Sequence, residues 1–543
     1  MMKLLYSLAF CWLVILTGCD QGIEPVIVKH RLIYNNDGTE ILGNNWFGKR
    51  PLTLSDVNQY VDMIAGSQVT TFMICSGSDF FYYRSKFGNI IGDDKNGELN
   101  CGGNIEYHRL LNRLYQNAVL LEKEAGTDIV EATLKRAKEK KLEAFITYRM
   151  NDLHFADTAT NCPIQYSAFW IAHPQYWTND TTLTGWNSSR ALDFAHKEVR
   201  DHKLGIIREQ LEKYGALIDG YELDFMRFIV YFKKNEARQN AHLITGMMQS
   251  VKRMTDSIGQ LHNKKILLTA RVPATLANCG EKGLDVKEWV KQGLVDFLTM
   301  GIHWLGEPAM PVAEFKKQLD FEIPVYASLD DGTYNPREGY SHGMYRGMAS
   351  HAMAQGADGA YLFNYFFTAY NEAGQKLQPE EGTVVCRTIA PELLQELGSL
   401  ETLKKRNKVY MLSDGATSYS LTPNSPLPLD LRGNTEAAVF VGDDVAADKP
   451  EEIILFIRTN TADSFSVLIN GHTLKQTNAE YPKRYDKLRG IKGSQKVTAF
   501  IVPPNDLSQG KNQLTFSAEG GSVIVQRIEL VLKYGDVERH GYF

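Results

Sequence analysis

Two carboxylates and a guanidinium interrupt the apolar stretch IDGYELDFMRF, residues 218–228. They belong to Glu222, Asp224 and Arg227. A carboxylate buried in a strand costs free energy unless it is paired or used, so the stretch is a candidate catalytic site. A buried ion pair with Arg227 or Arg271 is the structural alternative. Paired carboxyl groups can hydrolyse glycosidic bonds, because one protonates the leaving oxygen while the other attacks the sugar or activates water.

Alternation along a strand decides which of these side chains share a face. Glu222 and Asp224 fall on one face with Met226, and the tyrosine, leucine and phenylalanine between them fall on the other. Two residues at this spacing lie roughly 7 Å apart along the strand, on the same side of any bound sugar. Glu222 and Asp224 are therefore both candidates for a catalytic carboxyl group. Their partner must come from the end of another strand.

The elements that must position these residues are visible as eight β-rich runs between residues 31 and 367, separated by amphipathic helical patterns. Runs that are apolar on both faces and alternate with helices predict a parallel sheet covered by helices, and eight of them predict a (β/α)8 TIM barrel. An open doubly wound sheet is the alternative, but no glycine-rich turn follows the first run. The runs span residues 31–37, 70–78, 143–152, 218–226, 265–273, 296–304, 323–330 and 359–367.

Barrel enzymes react at the carboxyl ends of their strands, which selects further candidates. Asp330 is the preferred catalytic partner because the seventh strand end faces the fourth; Asp152, Glu307 and Asp331 are the other acids at strand ends. Polar and aromatic residues at the remaining mouths suit hydroxyl hydrogen bonds and ring stacking against a saccharide. The predicted substrate contacts are Arg149, Asp152, His154, Arg227, Arg271, His303, Trp304, Asn364 and Tyr365.

Two segments, residues 194–232 and 267–301, resemble the bacterial glycosyl-hydrolase-like barrel proteins called family-ten-like. The shared features are a valine-arginine helix start, a helix ending in tyrosine, an Asp-Gly-apolar-X-apolar-Asp strand and an arginine soon after. The resemblance extends over residues 30–370 and is densest over 190–305. It implies a barrel that handles carbohydrate.

Two other glycosidase patterns bear on single residues. The run Gly220 to Asp224 is similar to the fourth-strand Gly-apolar-Arg-apolar-Asp of amylase-type retaining enzymes, with Glu222 in the arginine position. That similarity implies a nucleophilic role for Asp224. Chitinase-type barrels carry Asp-x-x-Asp-x-Asp-x-Glu on this strand, where the chain has Asp219, Glu222, Asp224 and then Met226. The chitinase acid is therefore missing.

Beyond the barrel, proline and small polar residues cluster at residues 423–434 and helical periodicity ends. Short alternating runs broken by Asn-Gly, Pro-Pro-Asn and Gly-Gly follow, and they predict an antiparallel, jelly-roll-like β-sandwich. The expected organisation is a signal segment at 1–19, a barrel at 28–385, a linker at 386–430 and a sandwich at 431–543. The sandwich resembles accessory domains of glycan-active enzymes, so it is either a sugar-binding module or a structural cap.

The N-terminus predicts export. Lys3 precedes a short apolar run that ends in Leu-Thr-Gly-Cys, which resembles the bacterial lipobox with Cys19 as the lipidated residue. A secretory signal cleaved nearby is the alternative. We expect attachment to the bacterial cell envelope through lipid at Cys19, facing the periplasm or on the cell surface, with no other membrane contact.

Composition narrows the function further. The net charge of −5 over 543 residues gives no reason to expect nucleic acid. The cysteines show no CxxC spacing, so neither a thiol-based site nor any cofactor is expected. The prediction is a lipid-anchored glycoside hydrolase acting on an oligo- or polysaccharide. The alternatives are a non-catalytic glycan-binding lipoprotein and, with little support from histidine and aspartate spacing, a metal-dependent hydrolase such as a deacetylase.

Overall fold

The computed structural model describes residues 30–48, 50–93, 105–154, 156, 167–185, 187–301, 309–330, 341–365, 391–413, 425–433, 435–480, 496–518 and 523–535. Eight parallel strands close into a barrel in sequential order, so the predicted fold class is confirmed. Each strand falls within one of the eight predicted runs. They are β1 (Arg31–Asn36), β2 (Thr71–Cys75), β3 (Glu143–Arg149), β4 (Gly220–Asp224), β5 (Leu267–Pro273), β6 (Phe297–Gly301), β7 (Val325–Ser328) and β8 (Gly359–Phe363).

Helices surround the barrel, and several begin at side-chain caps. Thr53 and Asp56 form a capping box at the start of one, and Ser341 caps another by accepting from the Met344 backbone N–H. The helices of this region are α1 (Thr39–Leu42), α2 (Leu54–Ala65), α3 (Ile105–Ala125), α4 (Ile129–Glu139), α5 (Ala168–Ala172), α6 (Lys197–Tyr214), α7 (Ala237–Leu261), α8 (Leu276–Glu281), α9 (Val286–Lys291), α10 (Val312–Leu319) and α11 (His342–Ala354). None of the helices in the described part combines the length and apolar character needed to cross a membrane.

The barrel interior is apolar at its amino-terminal end and polar at its mouth. Inward side chains of six strands form a small buried cluster there: Ile33, Met73, Phe145, Phe297, Tyr326 and Tyr361. Arg31 lies with this layer, because its guanidinium bonds to Glu143 at 2.7 Å and to the Tyr326 hydroxyl at 2.9 Å. The layer fills the amino-terminal end of the barrel. Polar side chains that point inward further along the strands therefore gather at the opposite, carboxyl end.

The C-terminal region consists of two antiparallel sheets around their own apolar core, as the predicted sandwich requires. One sheet has the order β10, β18, β12, β16, β15, with β9 also paired to β18, and the other has the order β11, β17, β13, β14. The elements are α12 (Leu400–Leu403), β9 (Lys408–Leu412), β10 (Leu429–Asp430), β11 (Thr435–Val441), α13 (Val445–Asp448), β12 (Glu452–Thr459), β13 (Phe465–Ile469), β14 (His472–Thr473), β15 (Lys475–Thr477), β16 (Lys496–Ile501), β17 (Gly510–Ala518) and β18 (Ile524–Lys533).

The predicted linker at 386–430 differs from what the structure shows. It contains β9 and β10, and β9 pairs with β18 from Leu412 opposite Ile528 to Lys408 opposite Leu532. β9 also lies against α11, where a Cβ on Gly347 would come within 1.9 Å of the Val409 carbonyl oxygen. β9 pairs with a strand more than a hundred residues later in the chain, and such a distant pairing leaves no periodic signal in the local sequence. The sequence therefore predicts a linker where the structure has β9.

Candidate functional site

The charged strand β4 places its carboxylates inside the barrel, as the alternation predicts. Glu222 and Asp224 are buried and contact inward residues of the neighbouring strands. Tyr221 points outward, and its hydroxyl donates to Gln210 of α6 at 2.6 Å. Asp219, at the other end of the same segment, pairs with Lys138 at 2.7 Å on the outside of the barrel. The first acid of the chitinase-like comparison is therefore remote from the mouth.

Arg271 of β5 joins Asp224 to Asp330, the residue predicted as its partner. Its Nη1 lies 3.4 Å from both carboxylate oxygens of Asp224, and its Nη2 donates to Asp330. The Asp330 carboxylate also accepts from the Ser328 hydroxyl, and Asp224 accepts from the Met226 backbone N–H at 2.8 Å. Because one planar guanidinium bridges them, the nearest oxygens of the two carboxylates are no more than about 8 Å apart. A second carboxyl group thus lies within catalytic reach of Asp224.

The bridging arginine remains charged. Burial opposes the charge on Arg271, but Asp330 and Asp224 outweigh this effect and keep its pKa above the usual range. The guanidinium carbon lies 3.9 Å from the centre of the Phe363 ring, within cation–π distance. Arg271, Asp224, Asp330 and Phe363 are hereafter called the arginine bridge.

Glu222 lies two residues deeper in the lumen and has a different electrostatic environment. Burial, and then the negative charge of Asp224, raise its pKa to about 7. Its Oε1 accepts from the Thr147 hydroxyl at 2.7 Å and the Tyr361 hydroxyl at 2.8 Å, whereas its buried Oε2 has no hydrogen-bond partner. Glu222 is therefore a carboxyl group that is mostly protonated below pH 7.

The raised pKa makes a prediction about stability. Glu222 releases its proton near pH 4.5 when unfolded and near pH 7 when folded, so the folded protein holds more protons between these values. The contribution of Glu222 to the free energy of unfolding is therefore fully present below pH 4.5, and it falls by about 3 kcal/mol as pH rises to 7. Glu222→Gln lacks this loss. Melting curves from pH 4.5 to 8 should show the stability of Glu222→Gln increasing relative to that of the wild type as pH rises.

The exposed Glu212→Gln on α6 is the control for that comparison, since the same change at the surface should leave the wild-type pH profile in place. A difference between Glu222→Gln and wild type that stays constant with pH would show that Glu222 titrates normally.

A second charged cluster forms where β1, β3 and β4 end. Arg149 Nη1 donates to Asp152 at 3.1 Å, and Arg149 Nη2 lies 3.7 Å from Asp37. His154 Nδ1 lies 2.5 Å from Asp152, and His154 Nε2 lies 3.0 Å from Arg227 Nη2. Residues 37, 149, 152, 154 and 227 are hereafter called the arginine–histidine cluster.

Contacts within the arginine–histidine cluster determine the protonation states of Asp152 and His154. Although burial opposes ionisation of Asp152, His154 and Arg149 hold its pKa well below the usual range. Burial lowers the pKa of His154, with partial opposition from Asp152, so the imidazole is neutral near pH 7. Its Nδ1–H therefore donates to Asp152, and its Nε2 is left as an acceptor.

The other predicted contacts do not all reach the mouth. The Asn364 backbone N–H donates to the Asn35 carbonyl at 3.2 Å just after β8, and its buried side-chain Oδ1 has no hydrogen-bond partner. Tyr365 is 1% exposed, and its ring centre lies 5.2 Å from that of Tyr345 on α11, so the ring is in the outer core and not in the lumen. β8 ends at Phe363 and Asn364 has a left-handed backbone conformation with φ 52°, so the alternation does not continue to Tyr365. Cys19, His303, Trp304, Glu307 and Asp331 lie outside the described residues.

Several lining residues escaped the sequence analysis, among them Asn35, Thr147, Ser328, Tyr361 and Phe363. All point inward from β1, β3, β7 and β8. Applying to every strand the alternation that was applied to β4 would have found Thr147, two positions before Arg149, as well as Tyr361 and Phe363. Asp37 carried no such signal, because it follows β1 in a loop.

In the described part of the chain, no group of three or more histidine, cysteine, aspartate or glutamate side chains is arranged so that it could hold a metal ion. The two cysteines described as free thiols, Cys75 and Cys279, are buried, and burial raises the pKa of Cys75 to about 11. Neither contacts the arginine bridge.

No protein-family model matches the chain, and no curated protein matches it. Solved structures do match. A cycloisomaltooligosaccharide glucanotransferase from Paenibacillus sp., in complex with cycloisomaltoheptaose, is 8% identical with a TM-score of 0.32; the match covers 93% of this chain but spans only 58% of that enzyme.

A bacterial fucosidase with a bound inhibitor is 10% identical with a TM-score of 0.34, over 91% of this chain and 93% of the fucosidase. A chitinase from Chromobacterium violaceum is 10% identical with a TM-score of 0.31, over 62% of this chain and 93% of the chitinase. These are carbohydrate-active enzymes of several kinds. Likeness at this level does not assign a reaction, and the family-ten-like resemblance and the lipid anchor stay predictions.

Proposed function

We propose that this chain is a glycoside hydrolase that cleaves an oligo- or polysaccharide at the carboxyl-terminal mouth of its barrel. The observation that carries the proposal is the arginine bridge, in which Asp224 from β4 and Asp330 from the end of β7 flank one guanidinium. Enzymatic hydrolysis of glycosidic bonds uses two carboxyl groups about 5 to 10 Å apart, and the bound of about 8 Å falls in that range.

The contacts favour a division of labour. Asp224 accepts from the Met226 backbone N–H and lies beside Arg271, and these contacts hold its carboxylate in place, so it is assigned as the nucleophile or as the base that activates water. Asp330 stands on the other side of the guanidinium and is assigned as the acid that gives its proton to the leaving oxygen. A sugar seated between Asp330 and Arg271 would weaken their pairing and let Asp330 take up that proton.

Glu222 acts on the charge of the lumen in this scheme. While it is protonated, Asp224 is the negative group nearest to the reacting centre on β4. Above pH 7 Glu222 ionises and places a second negative charge beside Asp224. This added charge repels negatively charged groups that approach the reacting centre. Turnover is therefore expected to fall above pH 7, and this alkaline limb should be absent from Glu222→Gln.

The function is tested by incubating the purified protein with a panel of α- and β-linked oligosaccharides and detecting new reducing ends. Products appear with at least one linkage if the proposal holds, and NMR of the first-formed anomer separates retention from inversion. No product on any linkage, or product formed equally well by Asp224→Asn and Asp330→Asn, contradicts it.

A second candidate function is glycan binding without turnover. The observation that favours it is the placement of Arg271, whose guanidinium stands between the two carboxylates and pairs with both. Such a protein would bind oligosaccharides of the panel without releasing reducing ends. Neither the wild type nor Asp224→Asn would then show hydrolytic activity.

We also propose that the protein is attached to the cell envelope by lipid at Cys19, on the support of the Leu-Thr-Gly-Cys sequence. Growth of cells with a labelled fatty acid tests this, since label should enter the wild-type chain and be absent from Cys19→Ala.

A further inference from the structure

Arg227 has an unusual environment for a cation at the barrel mouth. Its Nη2 donates to His154 Nε2, a neutral acceptor, at 3.0 Å. No carboxylate of the described part of the chain forms an ion pair with it, and its buried Nε has no hydrogen-bond partner. Phe228 and Phe363 lie 5.2 and 6.0 Å from the guanidinium carbon. A half-buried arginine that forms no ion pair with the described carboxylates is a costly arrangement unless something else supplies the negative charge.

The neighbouring carboxylates are already paired with other arginines. Asp152 and Asp37 lie beside Arg149, and Asp224 and Asp330 lie beside Arg271. Burial, and then the charge of Arg149, lower the pKa of Arg227. The charge on Arg227 is thus poorly compensated by its surroundings.

His154 orients this cation. The Asp152 carboxylate accepts from the backbone N–H of His154, at 2.9 Å, and from the Nδ1 of the His154 ring. These two hydrogen bonds set the orientation and the tautomer of the imidazole. The imidazole occupies one N–H of the guanidinium and leaves the others available. The side chain of His154 is 32% exposed, which places this pair at the open side of the cluster.

Distance connects Arg227 to the reacting groups. Arg227 and Arg271 both face the ring of Phe363, with guanidinium carbons 6.0 and 3.9 Å from its centre. The two cations are therefore no more than about 10 Å apart. That span is comparable to one or two monosaccharide units, so a sugar held at Asp224 can carry a substituent to Arg227.

We propose that Arg227 is a specificity residue that binds an anionic substituent of the glycan, either a uronate carboxylate or a sulfate ester. The inference rests on the proposed function only in placing the glycan at the barrel mouth. A guanidinium presents a planar fork that matches both anions, and the nearby rings of Phe228 and Phe363 make its surroundings less polar. Neutral glycans would leave Arg227 without its partner.

The test is calorimetric titration of the Asp224→Asn protein, which slows cleavage during the measurement. The ligands are oligogalacturonate and oligoglucuronate, the same oligomers with their carboxyl groups reduced to alcohols, and a sulfated galactan oligomer. At least one acidic ligand should bind about ten- to a hundredfold more tightly than its reduced or desulfated form. The uronate and sulfate arms show which anion is preferred.

A second set of titrations adds Arg227→Met, which removes the charge at similar length. The acidic preference should vanish while binding of the neutral form is unchanged. Arg208→Met, on the exposed face of α6, is the matched control and should keep the preference. Arg227→Gln replaces the methionine variant if the latter does not fold.

Equal binding of acidic and neutral forms by the Asp224→Asn protein, or a preference that survives the added loss of Arg227, overturns the inference. Its failure is distinguishable from failure of the hydrolase proposal. Turnover of glycans without an acidic preference removes only the role of Arg227, whereas Arg227-dependent binding without turnover removes only the hydrolase.

Discussion

Asp224→Asn is expected to lower kcat by about a hundred- to ten-thousandfold on every glycan that the protein cleaves. The amide has nearly the shape of the carboxylate and still accepts the Met226 N–H, but it can neither attack an anomeric carbon nor accept a proton from water. The measurement is initial rate against substrate concentration, with the melting temperature recorded to show that the variant is folded. Because the change acts on the reacting group, KM should move much less than kcat.

Asp219→Asn is the control, since Asp219 belongs to the same segment but pairs with Lys138 at the other end of β4. Its kcat should stay within about twofold of the wild type. Rates of Asp224→Asn within tenfold of the wild type would remove Asp224 from the reaction. If Asp330→Asn alone is neutral, the second carboxyl group is to be sought elsewhere at the mouth.

Arg271→Met is expected to have the largest effect on stability, lowering the free energy of unfolding by about 3 to 5 kcal/mol at pH 7. The cause is the loss of a cation that contacts both Asp224 and Asp330, which brings two buried carboxylates together without the charge between them. Chemical denaturation followed by fluorescence measures the loss. Lowering the pH should restore part of the stability, because protonation of the carboxyl groups relieves the repulsion.

Two further variants sharpen this experiment. Arg253→Met removes an exposed arginine of α7 whose partner is the Ser250 hydroxyl, and it should change stability by no more than about 0.5 kcal/mol. The double variant Arg271→Met with Asp330→Asn should be more stable than Arg271→Met alone, since one of the two neighbouring negative charges has been removed. If Arg271→Met is as stable as the Arg253 control, the bridge contributes nothing to the fold.

The barrel could be predicted from local patterns alone. Each strand is an apolar run with its own boundaries, and parallel strands alternating with amphipathic helices have few ways to assemble. The same alternation placed Glu222 and Asp224 in the lumen, because the two faces of a strand are set by sequence position. Asp330 could be predicted as the partner of Asp224 because the end of the seventh strand faces the end of the fourth in a barrel.

The pairing of charges could not be predicted in this way. The sequence left open whether Arg271 would contact Asp224, Asp330 or both, since that depends on the angle and spacing of β4, β5 and β7 in the closed barrel. For the same reason the sequence could not decide whether Arg227 or Arg271 would form the buried ion pair with these carboxylates. Asp224 is paired with Arg271, whereas Arg227 turns to His154.

The strand β9 shows the same limit in the C-terminal region, where pairing with β18 joins residues too distant in the chain for periodicity to register. What the sequence by itself determined is the order of elements and the face on which each side chain lies, because both follow from local backbone geometry. Only the tertiary structure decided which charges meet and which cation at the mouth forms no ion pair among the described residues, because electrostatic pairing depends on distances across the barrel that no local pattern encodes.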